Sequence, residues 1–179
     1  MFKKVCIIGC GLIGSSIARG IKKNKLATKV VSSNRSNSTN KKVIRLKIVD
    51  EASSDTKKIV KGSDLIIIAS PLSSYKNIIL KIKGSLKNGA ILTDVGSVKK
   101  NVISLIEKNI PKNISWISSH PIAGTEDSGP ESGFSQLFKN KWCILTPSKQ
   151  SNNKDVKLLE KFWKKLYNKS QEPRWPKLN

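Results

Sequence analysis

Apolar positions along the chain fall into short continuous runs that alternate with stretches of helical spacing. Val5-Cys6-Ile7-Ile8 opens the series, and residues 12–23 follow with Ile13, Ile17 and Ile21 on one helical face. Asp64-Leu65-Ile66-Ile67-Ile68-Ala69 is the clearest strand, β-branched and ended by Ser70-Pro71. A run apolar on both faces predicts a central parallel strand, because helices must cover both sides. Further strands are predicted at 29–33, 90–95, 114–118 and 142–146. Helices are predicted at 74–83, at 98–108, where Asn109 and Pro111 close the pattern, and at 154–167, where Val156, Leu159, Phe162, Trp163 and Leu166 share a face. The Ser- and Asn-rich stretch 32–42 reads as a loop. Strand and helix in alternation predict the α/β class with a doubly wound, mostly parallel sheet over residues 1–167, leaving 168–179 as an irregular tail.

The 179-residue length suits one domain with a real core. Composition changes the picture less than it first promises. A net charge of +22 suggests a nucleic-acid partner. Yet only Arg19, Arg35, Arg45 and Arg174 of the 34 basic residues are arginine, the lysines run along the whole chain, and aromatics make up 6%. A nucleic-acid face needs clustered charge with stacking rings, so the charge is read as solvated surface and no nucleic-acid partner is expected. Cys6, Cys10 and Cys143 form neither a CxxC pair nor a metal-like spacing with the single histidine, so no metal is expected and the thiols read as free. The apolar run after Met1-Phe2-Lys3-Lys4 is broken by Gly9, Gly11 and Gly14, and no stretch approaches membrane-spanning length. A soluble, cytoplasmic protein without a membrane partner is the expectation.

Gly9-Cys10-Gly11-Leu12-Ile13-Gly14 is a G-x-G-x-x-G placed directly after a predicted strand and opening a predicted helix. That placement gives the motif its weight. Gly9 permits a tight turn, Gly11 lets backbone approach a pyrophosphate, and Gly14 lets helix pack on strand, as in a Rossmann dinucleotide site. The backbone N–H groups of Leu12 and Ile13 stand where a helix start holds phosphate charge; Ser70, at the end of the clearest strand, borders the same site. A glycine turn without a ligand is the plain alternative. At the end of the second strand, Asn34 occupies the place where a carboxylate would bond a ribose hydroxyl and repel a 2′-phosphate. Asn34 repels nothing and Arg35 offers a planar fork to phosphate, which favours NADP over NAD; an ordinary polar loop pair is the other reading.

Two strand ends carry candidate chemistry. His120 is the only histidine, expected just after a strand, and its imidazole can take a proton near neutral pH. A structural histidine is the competing view. Ser97, in Asp94-Val95-Gly96-Ser97-Val98-Lys99, can bond substrate or cofactor, or simply cap a helix.

GCGLIGSS at 9–16, DVGSVK at 94–99, HPIAGTEDSG at 120–129, and Leu137-Phe138 followed by Trp142-Cys143-Ile144-Leu145-Thr146-Pro147 resemble the prephenate/arogenate (cyclohexadienyl) dehydrogenase family from about residue 3 to 166. The resemblance implies oxidative decarboxylation of prephenate or arogenate in tyrosine biosynthesis, with hydride passing to NAD(P). It implies that His120 accepts the hydroxyl proton, that Ser97 orients hydroxyl and imidazole, and that Thr125 lies at the substrate. Members of that family continue into a helical C-terminal domain that makes a homodimer and supplies substrate-carboxylate ligands. This chain stops at Asn179 and its last residues do not match that continuation, so a truncated or frameshifted end is the expectation, with Arg174 too isolated to replace the missing ligand. A cofactor-binding fragment with little or no activity stands beside the active dehydrogenase as an alternative, and another hydroxy-acid oxidoreductase behind both.

Overall fold

The computed structural model describes residues 1–98 and 100–167, with backbone only for Lys100 and Asn101; the irregular tail expected at 168–179 lies outside them. In chain order the elements are β1 (Phe2–Ile8), α1 (Leu12–Lys23), β2 (Ala27–Ser33), α2 (Asn37–Arg45), β3 (Glu51–Ser53), α3 (Thr56–Ile59), β4 (Leu65–Ile68), α4 (Tyr75–Ile82), β5 (Ile91–Asp94), α5 (Lys100–Glu107), β6 (Ser115–Ile122), β7 (Trp142–Pro147) and α6 (Asn153–Tyr167). The sheet order is β3-β2-β1-β4-β5-β6-β7. All neighbours run parallel except β7, which is antiparallel to β6. This is the doubly wound, mostly parallel α/β sheet expected from the alternation of elements.

Register brings the working ends of the strands level. Ile8 of β1 lies opposite Ser33 of β2 and Ile68 of β4, and Ile68 lies opposite Asp94 of β5. Two apolar layers cover the sheet. On one face Ile17 and Ile21 of α1, Val43 of α2 and Leu159, Phe162, Trp163 and Leu166 of α6 pack over Val5, Ile7, Leu65 and Ile67. On the other, Tyr75, Ile79 and Ile82 of α4 and Val102 and Ile106 of α5 pack over Cys6, Ile8, Ile66, Ile68, Leu92 and Trp116. Each fully buried large apolar side chain contributes about 1.5–3 kcal/mol. Edge-on rings at Phe138–Trp163 (6.1 Å between centroids) and Phe2–Phe162 (5.9 Å) lock α6 to that layer.

Two expectations are corrected. The stretch 32–42 is not a loop throughout: β2 runs to Ser33 and α2 begins at Asn37. Ser36 starts that helix by accepting the N–H groups of Ser38 (3.2 Å) and Thr39 (3.4 Å), the capping role for which serine is suited. Val43 then anchors the helix in the core. Likewise β6 does not stop at 118 but continues through His120 to Ile122, because β7 pairs along it from Ile117↔Pro147 to Ile122↔Trp142. Pro121 is tolerated there since β5 ends at Asp94, leaving that side of β6 without a partner needing its N–H.

Candidate functional site

The turn after β1 is built by contact. Gly9 has φ +98°, and a Cβ there would stand 2.6 Å from Ser70 Oγ and 2.7 Å from the Ala69 carbonyl oxygen. A Cβ on Gly14 would meet the Gly9 carbonyl oxygen at 2.0 Å, so helix and turn touch backbone to backbone. Gly11 differs in kind. Its backbone is extended (φ −78°, ψ −156°), and nothing lies within 4 Å of an added Cβ. The fold itself does not require glycine at Gly11; close approach of something outside the chain supplies the reason. No side chain caps α1, and its first carbonyl partner is the Gly11 oxygen accepting from Ser15 N–H at 3.0 Å. The N–H groups of Leu12, Ile13 and Gly14 therefore face outward at a positive helix end. These residues fit a pyrophosphate.

Around this cradle the predicted neighbours divide. Ser70 Oγ donates to the Ile8 carbonyl at 2.9 Å, tying β4 to the glycine turn. Asn34 is 7% exposed and looks inward. Its Oδ1 accepts the Cys10 N–H at 2.6 Å, and its Nδ2 donates to Asn40 Oδ1 at 2.9 Å and Ser32 Oγ at 3.2 Å. Asn40 Nδ2 in turn donates to the Asn34 carbonyl at 3.2 Å. The amide thus holds the glycine turn rather than standing out to a ribose. Arg35 is exposed beside it. Cys10 sits inside the turn; burial pushes its thiol up to about 12, with a hydrogen bond to Ser32 opposing.

Two further candidate residues lie along the same end of the sheet. Ser97 is exposed, in the bend that follows Gly96, and α5 begins only at Lys100, beyond it. His120 is half-buried on β6, opposite Ile144 of β7. The two segments are joined by Asp94, a fully buried carboxylate at the end of β5 that accepts from Gly96 N–H on one side and from Ser118 and Ser119 on the other. Thr125 is exposed in the following loop, where its hydroxyl bonds Asp127, donating to the carboxylate at 3.3 Å and accepting the N–H at 3.2 Å. Sequence reasoning singled out Ser97 and His120 but assigned nothing to Asp94 or Tyr75. The signal was present: an aspartate ending the Ala90-Ile91-Leu92-Thr93 strand run must find donors if it is buried. Among the described residues no cluster of His, Cys, Asp and Glu stands ready for a metal ion, and no helix is long and apolar enough to cross a membrane.

Sheet order, open glycine cradle and uncapped helix together define a nucleotide-binding Rossmann domain. Residues 17–172 match the family described as prephenate dehydrogenase, nucleotide-binding domain, and the chain belongs to that family. It is 32% identical over 166 residues to the cyclohexadienyl dehydrogenase of Zymomonas mobilis, covering 93% of this chain and 56% of the relative. It is 29% identical to the prephenate dehydrogenase of Bacillus subtilis over 89% of this chain and 43% of that protein. The fold superposes on the prephenate dehydrogenase of A. aeolicus in complex with hydroxyphenyl propionate and NAD+ with a TM-score of 0.86 at 30% identity, covering 93% of this chain and 58% of that one. For Synechocystis arogenate dehydrogenase the TM-score is 0.84 at 27% identity, with 91% and 56% covered. The chain thus spans about half the length of the relatives it matches.

Proposed function

We propose that this chain is the coenzyme-binding half of a prephenate or arogenate dehydrogenase and that it favours NADP over NAD. The observation that carries the reading is the placement of His120, near the end of β6, and Ser97, just past β5, toward the same end of the sheet as a glycine cradle whose central residue, Gly11, no protein contact requires. When bound, the nicotinamide supplies a hydride acceptor. The N–H groups of Leu12, Ile13 and Gly14 hold the pyrophosphate charge. His120 takes the substrate hydroxyl proton as hydride leaves the same carbon, so a carbonyl develops there. Departure of carbon dioxide then returns its bonding electrons to the ring, which becomes aromatic. Ser97 orients hydroxyl and imidazole, and Thr125 contacts the substrate. The exposed Arg35 fork pairs with a 2′-phosphate, and Asn34 beside it in sequence carries no negative charge to repel it.

A second reading is coenzyme binding without turnover. Titration with NADP and NAD, followed by assay with prephenate and arogenate, separates the two. The expected result is coenzyme uptake, NADP tighter, with turnover lost in His120→Asn while binding persists. Uptake without turnover in the unmutated chain assigns it to the second reading. Absence of uptake by folded protein refutes both.

A further inference from the structure

Asp94 has no access to water, and a buried carboxyl group is tolerated only when hydrogen-bond partners surround it. Among the described residues its donors come from β6, from α4 and from the turn after β5. Oδ1 accepts from Ser118 Oγ at 2.6 Å and from Ser119 N–H at 3.2 Å, both on β6. Oδ2 accepts from Gly96 N–H at 3.0 Å and from the Tyr75 hydroxyl of α4 at 3.2 Å. Ser118 and Ser119 directly precede His120, and Gly96 directly precedes Ser97. One oxygen grips the strand bearing the imidazole; the other grips the turn bearing the hydroxyl.

The turn has little slack. A Cβ on Gly96 would stand 3.0 Å from Asp94 Oδ2 and 3.2 Å from the Tyr75 hydroxyl. Alternation along β6 puts Ser118 and His120 on one face, the face covered by α4, and Ser119 on the other. On that opposite face a separate polar contact joins the same two strands: Thr93 Oγ1 and Ser119 Oγ lie 2.6 Å apart, and Trp163 Nε1 donates to Ser119 Oγ at 3.1 Å. Among the described residues, these two side-chain contacts fasten β5 to β6 beyond their backbone pairing, and of the two it is the Asp94 contact that reaches the Ser97 turn.

We propose that Asp94 is a positioning residue that fixes the Ser97 hydroxyl relative to the His120 imidazole. The inference rests on the roles given to those two residues above. It differs from a purely structural role, which either fastening would fill. His120 is the sole histidine, so the proton on its imidazole Cε1 gives a single histidine signal of that kind by NMR, readable without substrate. Ser118→Ala keeps the Asp94 carboxyl and removes the 2.6 Å bond; Asp94→Asn replaces one oxygen with an N–H donor, which neither the Gly96 nor the Ser119 N–H can pair with. Both variants are expected to displace the His120 signal and leave coenzyme affinity unchanged. Thr93→Val, which removes the opposite fastening, is expected to lower the melting temperature and leave the signal in place. Where Asp94→Asn does not fold, Ser118→Ala against Thr93→Val decides alone. A His120 signal unmoved by Ser118→Ala, or moved equally by Thr93→Val, overturns the proposal. Coenzyme titration of the unmutated chain is an independent measurement, so loss of the dehydrogenase reading is distinguishable from loss of this one.

Discussion

Asn34→Asp tests how the end of β2 selects coenzyme. In many dinucleotide sites a carboxylate at this position bonds the ribose and favours NAD, so the substitution would ordinarily be tried as a switch. Here the Asn34 amide is already committed. Aspartate keeps an acceptor for the Cys10 N–H, but it loses the donor to Asn40 Oδ1 at 2.9 Å and to Ser32 Oγ at 3.2 Å. The Ser32 hydroxyl can rotate to donate. The Asn40 amide cannot turn without releasing the Asn34 carbonyl. One buried acceptor is left facing another, at a cost of about 1–3 kcal/mol. For a domain of this size each kcal/mol lowers the melting temperature by about 2–4 °C, so the expected fall lies between about 2 and 12 °C. A loosened glycine turn should weaken NAD and NADP together. Thermal unfolding and calorimetric titration with both coenzymes read the two effects. An unchanged melting temperature with NAD binding tightened would show that Asn34 faces the ribose, and would refute the reasoning.

Gly14→Ala sets a methyl 2.0 Å from the Gly9 carbonyl oxygen, where no flexible side chain can yield; we expect a loss of about 1–3 kcal/mol in stability and coenzyme binding too weak to measure by calorimetry, whereas Gly11→Ala should leave stability unchanged and weaken binding alone. Burial raises the Asp64 carboxyl, but bonds from Lys87 and from the N–H groups of Lys4 and Lys3 overcome this and hold it below its ordinary 3.8. Its stabilisation is therefore complete above pH 3.8 and is lost as pH falls toward the lower folded-state value. Urea unfolding of Asp64→Asn should accordingly show a deficit near neutral pH that shrinks in acid; a deficit independent of pH would contradict this. Burial raises Cys6 and Cys10 to about 12, opposed by Lys4 at the first and Ser32 at the second. Both should resist iodoacetamide at about pH 8 in the folded chain and react once unfolded, since the thiolate is the nucleophile; rapid native labelling followed by mass spectrometry would exclude such burial.

Long elements with a strong period were legible. The helix at 12–23 ends where the structure ends it, and the apolar runs 64–69 and 90–95 became adjacent central strands. β3 and α3 were not seen, because three and four residues carry too little periodicity to register and form only against neighbours already in place. The extension of β6 past Pro121 depended on β7, a partner more than twenty positions onward. Within the site, identity was readable and engagement was not. A histidine, a serine and three glycines announce their chemistry by type. That the Asn34 amide turns back to Cys10, 24 positions earlier, is a tertiary fact that no local spacing encodes. The same holds for Asp94, whose partners on β6 lie 24 and 25 positions away.

The chain winds outward from β1 toward β3 in one direction, then returns to β4 and winds outward the other way. The connections after β1 and after β4 consequently leave toward opposite sides, with α1 on one layer and α4 on the other. A cleft opens between them by winding alone, whatever side chains border it. Damage to those bordering residues that no packing requires, Gly11 among them, should then leave the molecule soundly built and empty of ligand, a combination that distinguishes a site made by topology from one carved out of a core.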